Sequence, residues 1–500
     1  NLQLFRYEKS LPLHLKATKL KPYKWWSERK ISNPVHLLIL VAYILGMLSG
    51  FFAAIPRESQ AAGPLTKTWT TRGEFLEGNP DSNIAISGIN EGDNAYATLQ
   101  ENGSFIDTDL KNFTPSPRTN HTSIWTGDTG NSNTANKMII WGGSDSSYMN
   151  TGGIYNQDND SWVATSLVNA PLSRFGHLAI WTGSKMIVWG GSVEGGVTNT
   201  GGIYDPASNL WTLTSTTNAP IARTLFSMIW TGSKIIVWGG DGGTNTGGIY
   251  DPATDTWSAT STIDAPTARY GHTAVWTGET GNPDTANRMI IWGGSNSSTK
   301  LNTGGIYNPA TDTWSATSTI DAPPERASHT TVWTGETGNP DTANRMIIWG
   351  GLGSVYYKDG WYYNPASNNW SPISTINAPS SRTSPTAIWT GSKMVIWGGY
   401  TSGGGSNTGG VYDSSSDSWS ATELTGAPTP RYGHTAVLTG TEMIIWGGYD
   451  SLNQIRTGTG SSYEIDTNTW SSNFTNVSPS VHALHKAVWT GETGDPNTAN

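Results

Sequence analysis

The tripeptide Trp-Gly-Gly recurs seven times, at Trp141, Trp189, Trp238, Trp292, Trp349, Trp397 and Trp446. The intervals are 48, 49, 54, 57, 48 and 49 residues, so nearly all of the chain after residue 115 is one repeating unit. A period near fifty residues points to one supersecondary unit stacked many times, because a unit that small cannot bury its own apolar faces. Length therefore says little about domain count here: a single array can take up most of a 500-residue chain.

The unit running from Arg269 to Ser318 reads as four strands. Thr273-Ala274-Val275-Trp276 is a short apolar strand closed by Thr277-Gly278. Met289-Ile290-Ile291-Trp292 is apolar on both faces, which predicts a strand covered on both sides. Gly304-Gly305-Ile306-Tyr307 follows a loop of variable length, and Asn308-Pro309-Ala310-Thr311-Asp312 is turn chemistry. Trp314-Ser315-Ala316-Thr317 is a more polar strand of high β propensity. A single small antiparallel sheet leaves both faces bare. Arranged radially, each sheet covers the next, and closure of the ring removes most exposed edges.

The tryptophans fit that arrangement. Twenty-one of the 25 fall at three repeating positions: the end of the first strand, the Trp-Gly-Gly, and the seventh residue after a Tyr. The last spacing recurs at Tyr155/Trp162, Tyr204/Trp211, Tyr250/Trp257, Tyr307/Trp314, Tyr363/Trp370, Tyr412/Trp419 and Tyr463/Trp470. A buried aromatic hides about 150–250 Å² and contributes roughly 4–6 kcal/mol gross at about 25 cal/mol/Å². All three sets are expected in the core.

A double Gly followed by Tyr-x6-Trp on a four-stranded unit of this length resembles the kelch repeat, and the resemblance covers residues 115–500. It implies an all-β fold, a kelch-type β-propeller of four-stranded antiparallel blades, and a role in protein or carbohydrate binding more often than in catalysis. The Trp before the double Gly and the recurring Trp-Thr-Gly are similar to secreted or membrane-anchored bacterial kelch-repeat proteins. Seven complete units begin at Arg118, Arg174, Arg223, Arg269, Arg326, Arg382 and Arg431. The start of an eighth follows at His482, with Trp489-Thr490-Gly491, and is cut off at Asn500, so the propeller is expected to be truncated at its C-terminal end. Trp276–Gly294 and Trp333–Gly351 are identical over 19 residues, the mark of duplication.

Cysteine is absent, which excludes disulfides and thiolate chemistry. Residues 1–33 hold eight Lys/Arg against two Glu, so a net charge of −9 leaves −15 on residues 34–500. That acidic body carries no basic stripe, and no nucleic-acid partner is expected. Pro34 to Ile55 is a 22-residue apolar run, long enough to cross a bilayer, after a basic segment carrying Trp25 and Trp26. Two readings stay open: a retained membrane anchor, or a signal-peptide core with small residues near Ser59-Gln60-Ala61 for cleavage. Either places 1–33 in the cytoplasm and the repeats outside it, secreted or at the cell surface. Residues 56–114 do not match the repeat; Thr66–Thr71 and Asn83–Asp109 read as strands of a linker or small β segment.

Two groups of residues are candidates for ligand contact. Each unit's first strand opens with Arg, and His follows three residues later in five units. Arg174, Arg223, Arg269, Arg326, Arg382 and Arg431 would ring the mouth of an axial channel, where an anion, an acidic peptide or a metal would suit them. The bland alternative is that Arg and His satisfy backbone carbonyls, which their strict periodicity favours. The loops after Trp-Gly-Gly vary most, from SDSSYMN to LGSVYYKDG, and are expected on the face of the Asn-Ala-Pro connections. They carry Tyr148, Tyr356, Tyr357, Trp361, Tyr400 and Tyr449, contacts suited to a protein or glycan. On the opposite face the lengthened turns Asp128–Asn136, Glu279–Asn287, Glu336–Asn344 and Glu492–Asn500 hold carboxylates of the kind calcium takes. None shows the alternating oxygen ladder calcium needs, so no cofactor is expected, with calcium in these turns as the alternative. Nor does any nucleophile elbow, phosphate loop or metal motif point to an enzyme. The reading is an extracytoplasmic binding or adhesion module with a glycan or protein ligand. The alternative is a carbohydrate-active enzyme (isomerase, lyase or sialidase-like) with its site at the axial mouth.

Overall fold

The computed structural model describes residues 114–471, except 242–243 and 336–340. Ahead of these, the backbone is described at five short strands, Lys30–Ile31, Ile55–Glu58, Trp69–Arg72, Ala97–Leu99 and Phe105–Asp107. The apolar run 34–55 and the start of the eighth unit at 482–500 lie otherwise outside the described residues. No helix among the described residues is long and apolar enough to cross a membrane.

Each unit forms one four-stranded antiparallel sheet, with strands a to d in chain order. In blade 4 these are Thr273–Trp276, Met289–Trp292, Gly304–Asn308 and Thr313–Ala316. Blade 1 begins at Thr122–Trp125 and blade 7 at Thr435–Leu438. The a strands neighbour one another around an axis, and that of blade 7 packs on that of blade 1. Seven blades thus close the ring.

The four apolar residues that end strand b at its Trp are buried in every blade, as an apolar run covered on both faces must be, while the leading Lys393 and Glu442 of blades 6 and 7 are half-buried. Its Trp meets the strand-d Trp of the next blade at every seam: ring centroids are 5.2 Å apart for Trp141–Trp211 and 5.3 Å for Trp238–Trp314. The closing seam repeats the contact, with Trp446 and Trp162 at 5.6 Å. The Tyr-x6-Trp spacing is a cross-strand pair, since Tyr307 and Trp314 stand opposite one another in register with rings 4.9 Å apart.

A clasp joins consecutive blades outside this core. The c–d turn of each blade closes on an Asn or Asp with positive φ, such as Asp312 at 53°. Asp312 Oδ1 accepts from Tyr307 in its own blade at 2.6 Å and from the Ser261 amide of the preceding connection at 2.7 Å. Trp314 Nε1 returns a bond to the Ser261 carbonyl at 3.0 Å. The same three bonds join Asn209 and Trp211 to Ser166, and Asp417 and Trp419 to Ser374.

The two glycines of Trp-Gly-Gly have separate reasons. The first has φ between 64° and 71° in all blades, and the second between 91° and 111°. In blade 4 a Cβ on Gly293 would lie 2.7 Å from Cε1 of His329 in blade 5. One on Gly294 would lie 2.8 Å from the Tyr270 carbonyl and 2.9 Å from Cβ of His272 in its own blade.

One expectation about the core needs correction. The strand-b and strand-d tryptophans are buried, but Trp125, Trp181, Trp230, Trp276, Trp333 and Trp389 at the ends of the a strands are half-buried. Each packs against the edge of a seam cluster, as Trp181 does against the cluster that holds Ile124 and Trp141.

Candidate functional site

Strand order puts the b–c loops and the connections preceding each framework Arg on one face of the ring. Short ladders join them: Arg174–Phe175 pairs with Ser192–Val193, and Arg431–Tyr432 with Tyr449–Asp450. The segment also ties to the preceding blade, where the Arg174 amide donates to the Met149 carbonyl at 2.9 Å.

The six candidate arginines do not line an opening on this face. Arg174, Arg223, Arg269, Arg326, Arg382 and Arg431 are at most 2% exposed. Arg269 is typical: Nε donates to the Thr267 carbonyl at 2.9 Å, Nη1 to the Gly293 and Thr303 carbonyls at 2.9 and 2.6 Å, and Nη2 to the Thr303 hydroxyl at 3.0 Å. One guanidinium thus ties the incoming connection, the Trp-Gly-Gly turn and the start of strand c within its own blade. Burial lowers these guanidinium pKa values to about 10 for Arg174, Arg223, Arg269, Arg382 and Arg431, so they stay charged at neutral pH. Periodicity here marks framework, as the bland reading has it.

The histidines link blades. His272 Nε2 meets the Ser227 hydroxyl at 3.0 Å, His329 meets Thr273 at 2.7 Å, and His121 meets Thr435 across the closing seam at 2.9 Å. Each ring stands edge-on to the Trp of the preceding blade, as His272 does to Trp238 at 5.4 Å. Burial, with the nearby arginines, pushes His177, His272 and His434 down to about 3 and His121 and His329 well below their ordinary value. They are neutral at physiological pH. Where blade 3 substitutes Phe226, its partner in blade 2 is the apolar Leu178.

The aromatic candidates divide into three places. Tyr148 of blade 1 is 40% exposed and rests on Phe175 of blade 2, rings 4.9 Å apart. Tyr400 of blade 6, 39% exposed, stands edge-on to Tyr432 at 5.2 Å, and Tyr449 packs on the other side of Tyr432 at 5.3 Å. Blade 5 carries the rest. Its Asp359 stands where blade 4 has Thr303 and takes Nη1 and Nη2 of Arg326 at 2.9 Å each. Tyr357 lies over that guanidinium at 4.2 Å, and Trp361 Nε1 donates to Asp359 Oδ2 at 3.0 Å. Tyr357 and Trp361 therefore brace the loop, while Tyr356 is half-buried beside exposed Val355.

Phe175 and Tyr432 escaped the sequence reading because they sit inside the Arg-x-x-His segment, which reads as framework. The signal was available: that second position runs Thr119, Phe175, Thr224, Tyr270, Ala327, Thr383 and Tyr432, as variable as the loops it pairs with. On the opposite face, no group of three or more His, Cys, Asp or Glu that could hold a metal occurs among the described residues. Part of the Glu336–Asn344 turn and all of Glu492–Asn500 lie outside them.

The KLHDC2/KLHL20/DRC7 Kelch-repeats domain model matches residues 90–282, 215–387 and 284–493, together most of the chain. The chain belongs to the kelch-repeat family. Kelch repeats form protein-binding β-propeller modules, and the blades, double glycines and Tyr–Trp pairs above are how this kelch propeller is built. No curated protein matches the chain.

Proposed function

We propose that this kelch propeller is an extracytoplasmic binding or adhesion module that holds a protein ligand on its b–c loop face. The observation that carries the reading is the division of labour between repeated and variable residues. Arg and His are spent on the framework in blade after blade, while the loops beside them change in length and carry exposed Tyr148 and Tyr400. A neutral, buried His with its Nε2 tied to a Thr hydroxyl is poorly placed for acid–base chemistry. The location outside the cytoplasm rests on the basic segment and the apolar run 34–55 that precede the repeats.

Both parts are open to test. Protease added to intact cells should remove an epitope tag placed at residue 471, and protection of the tag until lysis would contradict the location. Arrays of extracellular proteins and glycans, probed with the full chain and with turnover assayed for every hit, test the function. Protein binding without turnover is expected. A hit that is chemically converted would replace this reading with the enzyme one.

A further inference from the structure

Seven copies of one unit provide each surface position with internal comparisons, and the loop-face aromatics that touch one another ring to ring gather on one side; Tyr270 of blade 4 and Tyr356 of blade 5, half-buried like Phe175, Tyr432 and Tyr449, make no such contact among the described residues. The touching rings run through contiguous blades: Tyr400 on blade 6, Tyr432 and Tyr449 on blade 7, Tyr148 on blade 1 and Phe175 on blade 2. Blade 3 has Thr224 and Leu225 at the matching segment and no aromatic in its loop. Between the two clusters lies Arg456, exposed and without an ion pair among the described residues. Across the closing seam, burial would raise the Asp145 carboxyl, but hydrogen bonds from Ser147 and Ser146, and then the field of Arg456, hold it below its usual range. The other carboxylate of the arc, Asp450, is buried and satisfied by the Thr429 hydroxyl, the amides of Leu452 and Asn453, and Asn453 Nδ2. Asp450 holds its loop and leaves Arg456 free to pair outward.

We propose that the arc Tyr400–Tyr432–Tyr449–Arg456, continued by Tyr148 and Phe175, is the capture surface, and that it takes an extended segment of a partner protein carrying a carboxylate beside apolar residues. This rests on the binding-module reading and names its site and partner chemistry. Tyrosines packed ring to ring supply rigid contact area with little side-chain entropy to lose, and Ser- and Gly-rich neighbours such as Ser402 to Ser406 adapt to a peptide backbone. Phenol hydroxyls and a guanidinium are donors, so the complementary group is an acceptor; on a chain of net charge −9 an exposed, unpaired Arg selects for acid locally.

The test uses the full chain, immobilised and panned with a displayed library of random dodecapeptides. Wild type should enrich peptides with Asp or Glu next to aromatic, aliphatic or Pro residues. For a synthetic enriched peptide, Tyr432→Ser should weaken binding about 10-fold or more, Tyr432→Phe much less, with melting temperature unchanged within a few degrees. Arg456→Glu should abolish the acidic preference and enrich Lys or Arg instead. Acidic peptides that bind Tyr432→Ser and Arg456→Glu as well as wild type would overturn the site while leaving the binding-module reading intact. Enrichment of nothing, alongside glycan-array binding that Tyr432→Ser removes, would overturn the protein partner; no ligand in either format would count against both readings.

Discussion

Blades 4 and 5 share an identical 19-residue segment, Trp276–Gly294 and Trp333–Gly351, yet diverge as soon as it ends. Blade 4 continues into SNSSTKLNTGG, whereas blade 5 continues into LGSVYYKDGWYY. Both form the same four-stranded sheet with the same register. What survives the change of loop is the demand of the buried Arg. Arg269 is met by the carbonyl and hydroxyl of Thr303, and Arg326 by the carboxylate of Asp359. A loop on this propeller can be replaced provided the guanidinium under it keeps its acceptors, and that freedom suits a binding face.

The comparison breaks most sharply at those acceptors. Asp359→Ala leaves the Arg326 charge buried without its carboxylate and should cost about 3–5 kcal/mol, read as a lowered midpoint in urea. Thr303→Ala in blade 4 removes one hydroxyl and keeps the carbonyl, so about 1 kcal/mol is expected. Equal losses would mean that the two arginines are not held as described.

A smaller difference separates glycines of identical local sequence. Gly293→Ala would drive its Cβ to 2.7 Å from Cε1 of His329, whereas Gly350 faces blade 6, whose Pro385 replaces His, and meets nothing nearer than the Arg382 carbonyl at 3.0 Å. Both have φ near 68°, so both substitutions carry backbone strain of roughly 1 kcal/mol, but Gly293→Ala should cost about 2 kcal/mol more. Thermal melts of the two variants decide it.

Histidine makes a pH-dependent contrast between seams. Above pH 6.5 the rings are neutral folded and unfolded. As pH falls from 6.5 toward about 3, the unfolded chain takes up protons that buried His177, His272 and His434 refuse, so stability is lost with falling pH. The slope is on the order of 1 kcal/mol per pH unit for each such His. His329→Phe combined with Thr273→Leu copies the Phe226–Leu178 seam into blades 4 and 5. It should be near neutral at pH 7.5 and stabilising relative to wild type at pH 5. An unchanged acid slope would contradict the burial of His329. The smallest effect is expected for Tyr356→Ser, within about 0.5 kcal/mol of wild type, since nothing in the framework depends on it.

Much of this was legible in the sequence. Strand types, the seven complete units and the core role of two tryptophan sets follow from periodicity, which reports burial directly; the start of the eighth unit lies outside the described residues. The clasp was not legible, because Ser261 and Asp312 are fifty-one residues apart in sequence and meet only when one blade's connection reaches the next blade's turn. Half-burial of the third tryptophan set was also hidden: a pattern tells which face of strand a packs, not how far its last residue is covered. The arginines stayed open as candidates beside the framework reading their periodicity favoured for a related reason, since sequence gives an Arg's position but not the direction of its side chain. Tyr432 and Phe175 belong to the loop face through pairing with Tyr449 and contact with Tyr148, and no spacing rule displays such pairing.

Closure of the ring by seven blades is the claim on which framework and binding face both depend. The chain has no cysteine, so an engineered pair is a clean probe. A Cβ at Gly433 in blade 7 would lie 3.6 Å from Cβ of Thr119 in blade 1, within the span a disulfide bridges. In the Thr119→Cys/Gly433→Cys double variant, mild oxidation should form an intramolecular disulfide, seen as a 2 Da mass loss on the expected formula and faster migration in non-reducing gels. Two thiols that stay free in the folded protein would mean that blades 7 and 1 do not meet, and that the ring is not closed by seven.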